Sequence, residues 1–397
     1  MKIVVLGGYG EMGRITVIDL FETFKGKIVV AGRNEDKAKA FAESFKSNNI
    51  EWAGADADEP QELIELLRGS DAVINATQYN TNLQVMEAAL SAETNYVDLG
   101  GLFHMTKKQL KLNNSFKKIG KLAVAGCGAT PGITNIMAAY GSGLLDTIDS
   151  IHVQFADKDY TKYDMPFVVP YSMRTIFDEF SLEPAVFSGG KLKYVKPISG
   201  EEEIDFPSPV NRATCFYTLH SEVATFPSSF KDKGINNCSF KGGFPKEFVE
   251  KIKFFIDTGF ASTTPVKYKN IDVVPLDFTV SLLNRFIPEK DRIKDVEFLR
   301  VELRGKRERK NRNVIVYCES RSNSRWNIPA GTWDTGVPPS IIAQMIAENK
   351  VEKRGVVPPE LCINPELFFG ELAKRKIYLS FQENHESIQS LTGAKRH

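Results

Sequence analysis

Short apolar runs recur along the first third of the chain, each followed by a turn and then by a stretch whose apolar positions have helical spacing. Residues 2–6, 27–31, 50–55, 72–76, 95–99 and 122–125 read as six strands. Between them, a segment from Gly13 with Ile15, Ile18 and Phe21 on one face, and residues 35–45, 59–67, 83–92 and 109–119, read as helices. Mostly apolar strands alternating with helices imply a parallel sheet covered on both faces. Residues 1–149 are therefore expected to form an α/β, doubly wound parallel sheet.

Beyond residue 149 the pattern changes. Ile151, Val153 and Phe155 alternate with polar neighbours, and 296–303 and 314–318 also read as half-buried antiparallel strands. Residues 150–334 are expected to form an α+β, mixed-sheet substrate domain. Residues 335–397 turn helical, with a helix over 339–349 starting at Pro338-Pro339 and another over 364–374, expected to pack back on the first domain. The basic run from Arg304 to Arg312 lies between two alternating segments and carries Gly305 and Asn311. That makes it a solvated hairpin tip rather than a nucleic-acid surface.

Composition narrows the class. The chain has 397 residues, 42% hydrophobic and 25% charged, with a formal net charge of +1. No global field draws it to nucleic acid or to an anionic membrane. No apolar run reaches the length of a membrane span, and the first strand begins at Lys2, so the cytoplasm is the expected compartment. The five cysteines are scattered and the five histidines lack ligand spacing, so neither a disulfide framework nor a metal site is expected.

The candidate chemistry starts at the first turn. Gly8-Tyr9-Gly10-Glu11-Met12-Gly13 fits G-x-G-x-x-G between a strand and a helix. Gly8 permits the turn, Gly10 admits a pyrophosphate, and Gly13 lets the helix pack closely. The second strand ends in Gly32-Arg33-Asn34, where an acidic residue would bind the ribose of NAD. Arg33 instead suits a 2′-phosphate, which favours NADP, with NAD still possible. Ligands of such sheets bind beyond the carboxyl ends of the strands. Asp56 and Ala57 lie there on the adenine side, although Asp56 also fits a capping role. Ala76, Thr77, Gln78, Asp98 and the loop 126–132, with Gly128 and Pro131, lie on the nicotinamide side. Cys127 in that loop is either a nucleophilic thiol or a small packing residue. Further on, His220 and Glu222 form a titratable pair, and Arg174, Arg212 and Arg325 are candidates to hold a substrate carboxylate.

The loop Ala129-Thr-Pro131-Gly132-Ile-Thr-Asn135, read with the glycine motif, resembles the saccharopine dehydrogenase–like family. So do Tyr217-Thr-Leu-His220-Ser-Glu222-Val and the closing Thr335-Gly336-Val-Pro-Pro and Gly355-Val-Val-Pro358-Pro-Glu360 segments. The resemblance covers nearly the whole chain. It implies a Rossmann domain followed by a mixed-sheet domain, a homodimer, and a cleft between the domains. There a C–N single bond and an imine interconvert on an amino-acid or polyamine substrate with NAD or NADP. By this similarity Asp98 and residues 128–135 line the cleft. Of the candidate catalytic residues Asp98, His220 and Glu222, His220 and Asp98 are expected to handle the proton, and Glu222 to orient His220 or bind a substrate amine. The expected activity is that of an NADP-preferring oxidoreductase acting on a CH–NH bond of an amino-acid substrate, of the saccharopine type. Lysine 6-dehydrogenase and carboxynorspermidine dehydrogenase are the alternatives within the family, and an NADP-responsive regulator without turnover is the alternative outside it.

Overall fold

The structure, a computed structural model, describes residues 1–164, 167–169, 171–285, 292–384 and 388–392. The apolar runs form six parallel strands: β1 (Lys2–Leu6), β2 (Lys27–Gly32), β3 (Ile50–Gly54), β4 (Ala72–Asn75), β5 (Asn95–Asp98) and β6 (Leu122–Val124). A seventh, Gly355–Val357, arrives from the far end of the chain and pairs in parallel with β6. Across the sheet the order is Gly355–Val357, β6, β5, β4, β1, β2, β3. The order reverses beside β1, which opens a crevice at the carboxyl ends of β1 and β4. Burial on both faces explains the continuous apolar runs. Ile3 and Val5 pack with Ile15 and Ile18 of the Gly13–Thr23 helix and with Val337 and Ile341. Val4 and Leu6 pack on the opposite side with Leu63, Leu67, Val85 and Met86.

Two helices depart from the sequence expectation. The stretch after β5 is a Leu102–Gln109 helix, a 3₁₀ turn at Leu110–Leu112 and an Asn113–Lys118 helix, rather than one helix over 109–119. The helix expected to start at Pro338-Pro339 begins at Ala330 and runs to Ala347, with both prolines inside it. Its start is fixed from another strand: the Asp295 carboxylate accepts the Ala330 N–H at 3.0 and 3.1 Å, satisfying one of the free amides of a first turn. This helix crosses the Gly13–Thr23 helix at Gly336, where a Cβ would come within 2.5 Å of the Ile15 Cβ. Close approach also lets the buried Thr16 hydroxyl donate to the Gly336 carbonyl at 2.7 Å. Thr16→Val keeps the shape and removes the donor, so chemical denaturation should show a loss of about 1 kcal/mol in unfolding free energy.

The second sheet is mixed. Its main path runs, in order, through Glu202–Asp205, Arg212–Tyr217, Asn237–Gly243, β7 (Thr147–Asp159), Asp295–Arg307, Lys310–Arg321, Tyr378–Glu383 and Gln389–Ser390, and the Ala185–Ser188 and Lys191–Tyr194 strands branch from Asn237–Gly243. Asn237–Gly243 runs parallel to β7, whereas the long Asp295–Arg307 strand runs antiparallel to it. The basic run is the tip of the hairpin between Asp295–Arg307 and Lys310–Arg321. It turns at Glu308 and Arg309, both exposed and at positive φ. One face of this sheet carries Val153, Phe155, Phe240, Leu299 and Val301, packed in one core with Ile133, Ile136 and Val223. Residues beyond 350 thus enter both sheets, through Gly355–Val357 and Tyr378–Glu383. Among the described residues, no helix is long and apolar enough to cross a membrane.

Candidate active site

The glycine loop is built for close backbone contact. Gly7 adopts φ +77°, and a Cβ there would lie 2.7 Å from the Ala76 carbonyl, so the loops after β1 and β4 touch at the crevice. A Cβ on Gly13 would overlap the Gly7 carbonyl, which is why the helix can start against the loop. The Gly10 amide closes the turn on the Gly7 carbonyl at 2.8 Å, while the amides of Tyr9, Glu11 and Met12 have no acceptor among the described residues. Free amides at the start of a helix form an anion site. Tyr9 lies against Gly32, and its hydroxyl accepts the Asn34 N–H at 2.9 Å. Arg33 between them is exposed and has no ion-pair partner among the described residues. The Asp56 carboxylate accepts the Asp58 amide at 3.1 Å, a local turn that leaves one oxygen free, and Ala57 is buried behind it.

A buried amide network holds the loops after β4, β5 and β6 in one floor. Asn75 donates to Asn82 at 2.9 Å, and Asn82 donates to the Gly100 carbonyl at 3.1 Å. Asn75 also accepts from the Thr77 hydroxyl at 2.6 Å, with Gln78 exposed beside it. Asp98 is fully buried: one oxygen accepts the Gly126 amide at 2.8 Å, the other accepts from the Gln109 amide at 2.5 Å. Burial pushes its carboxyl above the usual range, and these hydrogen bonds pull the other way. Gly128 packs on the Leu99 carbonyl and Pro131 fills the space beside Gly100 and Gly126. Cys127 is fully buried, with its thiol directed at the Val124 carbonyl. Burial pushes that thiol well up, so it is a packing residue and not a nucleophile.

The two halves meet over this floor. His220 stacks on Phe240 with ring centroids 3.8 Å apart and planes 15° apart, which fixes the imidazole plane. Its Nδ1 lies 2.7 Å from Glu222, and because a carboxylate only accepts, Nδ1 donates. Glu222 also accepts the hydroxyls of Thr130 and Thr134, the latter at 2.9 Å, which ties the pair to the loop after β6. His220 Nε2 faces Glu179 at 3.9 Å, and the Tyr171 hydroxyl donates to Glu179 at 2.6 Å. Burial alone would lower His220. The Glu222 carboxylate and its hydrogen bond outweigh that, so the imidazole sits above its ordinary value. Burial would raise Glu222, but His220 and the threonine hydroxyl hold it below the carboxylate range. Burial lifts Glu179 to about 7. The hydroxyls of Thr218 and Ser221, close by in sequence, are buried without a partner among the described residues. An imidazole whose affinity for a proton is raised, with a carboxylate that retains that proton, can serve proton transfer at a bound ligand.

Sequence reasoning found the His220–Glu222 pair because it is local, placed Thr130 and Thr134 in a cleft-lining loop without their link to Glu222, and missed Tyr171, Glu179 and Tyr79. Tyr79 closes the cleft by donating to Asp178 at 2.8 Å. Of the three arginines, Arg174 stands at this edge, paired with Asp178 at 3.8 Å and Asp277 at 2.5 Å. Arg212 and Arg325 are exposed and engaged elsewhere, with Asp205 and Glu22.

Comparison with known proteins agrees with this architecture. Residues 3–124 match the family model described as saccharopine dehydrogenase NADP binding domain, and residues 128–377 match saccharopine dehydrogenase C-terminal domain. A carboxyaminopropylagmatine dehydrogenase from Synechocystis is 21% identical over 392 residues, covering 94% of this chain and 96% of that protein. A carboxynorspermidine synthase from Vibrio cholerae is 24% identical over 371 residues, covering 86% and 87%. Among solved structures, the apo L-Glu-forming saccharopine dehydrogenase of Saccharomyces cerevisiae superimposes with a TM-score of 0.74 at 14% identity, covering 96% of this chain and 99% of that one. The homospermidine synthase of Legionella pneumophila, in complex with NAD, gives 0.65 at 15% identity, covering 94% and 89%. With both halves matched in order, the chain belongs to the saccharopine dehydrogenase family of NAD(P)-dependent oxidoreductases acting on CH–NH bonds.

Proposed function

We propose that the chain reduces an imine formed between an aldehyde and an amine, with NADPH preferred, and that the amine carries further amino or guanidino groups. The observation that carries this reading is the His220–Glu222 pair, bound through Thr130 and Thr134 to the loop that ends the first sheet. The names of two relatives, carboxyaminopropylagmatine dehydrogenase and carboxynorspermidine synthase, favour a polyamine-type substrate over saccharopine itself.

The residues fit the cofactor. The free amides of Tyr9, Glu11 and Met12 suit its pyrophosphate, and Arg33, with Asn34 beside it, suits the 2′-phosphate. Asp56 and Ala57 border the adenine end, and Ala76, Thr77, Gln78, Gly128 and Pro131 border the nicotinamide end. When bound, the nicotinamide supplies the hydride. The chain does the rest. Protonated His220 donates to the hydroxyl that leaves as the imine forms and takes part in the proton balance at nitrogen. Glu222 keeps that proton on the imidazole, and the Phe240 ring holds it in one plane. Asp98, expected to share this work, has both oxygens engaged and no exposure; we assign it to positioning the 126–135 loop. Closure by Tyr79 and Asp178 helps to exclude water.

The test is a coupled absorbance assay on the purified chain with NADPH or NADH, an amino-acid semialdehyde, and glutamate, lysine, 1,3-diaminopropane or agmatine. NADPH oxidation that depends on a diamine or on agmatine is expected. Oxidation with glutamate alone would return the substrate to the saccharopine type, and no amine-dependent oxidation would end the reading.

A further inference from the structure

Along the same face of the second sheet that carries Phe155 and Phe240, the chain places carboxylates that no ion pair neutralises among the described residues. Asp157 follows Phe155 by two residues on β7, about 7 Å further along one face, and is the cross-strand neighbour of Glu297. Glu297 lies against Gly331 in the first turn of the Ala330–Ala347 helix, one turn before Asp334. Asp334 is fully buried, and among the described residues neither of its oxygens has a hydrogen-bond partner within bonding distance; the Ser320 hydroxyl, which acts on it, donates to the Ala330 carbonyl at 3.2 Å. Asp157 and Glu297 are partly exposed and have no hydrogen-bond or ion-pair partner among the described residues. Asp295 nearby differs, because it is occupied in capping the helix. Burial together with the neighbouring carboxylates Asp159 and Asp295 lifts Asp157 to about 7, and burial followed by Asp334 drives Glu297 well up.

The helix that carries Asp334 also reaches the loop after β6. Thr335, next to Asp334, contacts the position of Gly128 in the loop after β6, at 3.4 Å from a Cβ built there. The Tyr171 phenol that donates to Glu179, the carboxylate facing His220, feels the charge of Glu297 and Asp157 as well. Buried carboxyl groups left without partners are costly, and native proteins seldom keep them without a ligand or a function to satisfy them. Among the described residues, no group of three or more such side chains is spaced to hold a metal ion. A cation with several N–H donors would match acceptor groups of this kind.

We infer that Asp157 and Glu297, with the fully buried Asp334 behind Glu297, form the seat for the distal ammonium or guanidinium group of the amine substrate. The inference rests on the imine-reduction reading for where the other end of that amine lies. An ammonium or guanidinium brings only donors and a positive charge, which such acceptor groups satisfy. A second carboxylate at the same place, as on an amine such as glutamate, meets like charge. The cluster therefore sets specificity as well as affinity.

Two measurements on the full chain test this. In calorimetric titration with agmatine, Glu297→Gln, Asp334→Asn and Asp157→Asn should each weaken binding about 10-fold or more. The wild type should also release protons on binding, seen as a dependence of the heat on buffer ionisation, and Glu297→Gln should reduce that release. In the NADPH assay, the wild type should prefer 1,3-diaminopropane to propylamine by about 100-fold in kcat/KM, and the ratio should collapse towards unity in the variants. Asp157→Asn, at the partly exposed end of its strand, keeps the test decisive if the buried Asp334 variant does not fold. Agmatine binding that is absent from the wild type, or equal in wild type and the folded variants, overturns the inference. Carboxylate-dependent agmatine binding without NADPH oxidation by any pair would instead overturn the reaction and leave the seat standing.

Discussion

His220→Ala is expected to lower kcat in the reductive direction about 100- to 1,000-fold, the usual range for losing a general acid, with little change in nucleotide binding. The pH dependence carries more information than the loss. His220 is held above its ordinary value by Glu222 despite burial, so the wild-type rate should stay high below that raised value and fall as pH rises through it. Glu222→Gln removes the main influence that raises the imidazole and leaves burial, which lowers it. The alkaline limb should therefore move to lower pH in Glu222→Gln and disappear in His220→Ala. A purely structural role for the pair would reduce activity in both variants without moving the limb. Initial-rate pH profiles of the three proteins separate the two cases.

Arg33→Ala should lower kcat/KM for NADPH by about 10- to 100-fold, as expected for losing a hydrogen-bonded charge, while NADH is scarcely affected. Arg33→Asp should go further, because a carboxylate repels the 2′-phosphate and accepts the ribose hydroxyls of NADH. The site suits such an exchange: Arg33 is exposed and, among the described residues, free of ion pairs, and its neighbours are held independently. The Asn34 amide is fixed by the Tyr9 hydroxyl, and the Asn34 side chain caps the next helix by accepting the Lys37 N–H at 2.9 Å. Coenzyme preference measured with one amine substrate decides the matter. Equal losses with NADPH and NADH would remove Arg33 from 2′-phosphate recognition.

The parallel sheet was legible because burial on both faces writes itself into Ile3, Val4 and Val5 as an uninterrupted apolar run. The mixed sheet was legible because half-burial writes alternation into Ile151, Val153 and Phe155. What escaped was fixed by distant partners. The Ala330–Ala347 helix starts where Asp295 caps it, and no local signal among Ala330-Gly331-Thr332 announces that. Gly355–Val357 is too short to show a period and is a strand because β6 offers it an edge. The site divides in the same way. His220 and Glu222 stand two residues apart and could be read together. Thr130 lies 92 residues from Glu222, and the cluster of Asp157, Glu297 and Asp334 comes from two strands and a helix far apart in sequence.

The late arrival of Gly355–Val357 bears on how the protein is made. A ribosome delivers β6 with its outer edge bare, and the strand that covers it lies roughly 230 residues downstream, a wait of roughly 10–50 s at ordinary synthesis rates. During that interval the nascent chain exposes an apolar, hydrogen-bond-ready edge of the kind that recruits other strands. Chaperone dependence and aggregation should thus concentrate in nascent chains stalled between β6 and residue 355, and ease once the tail has emerged.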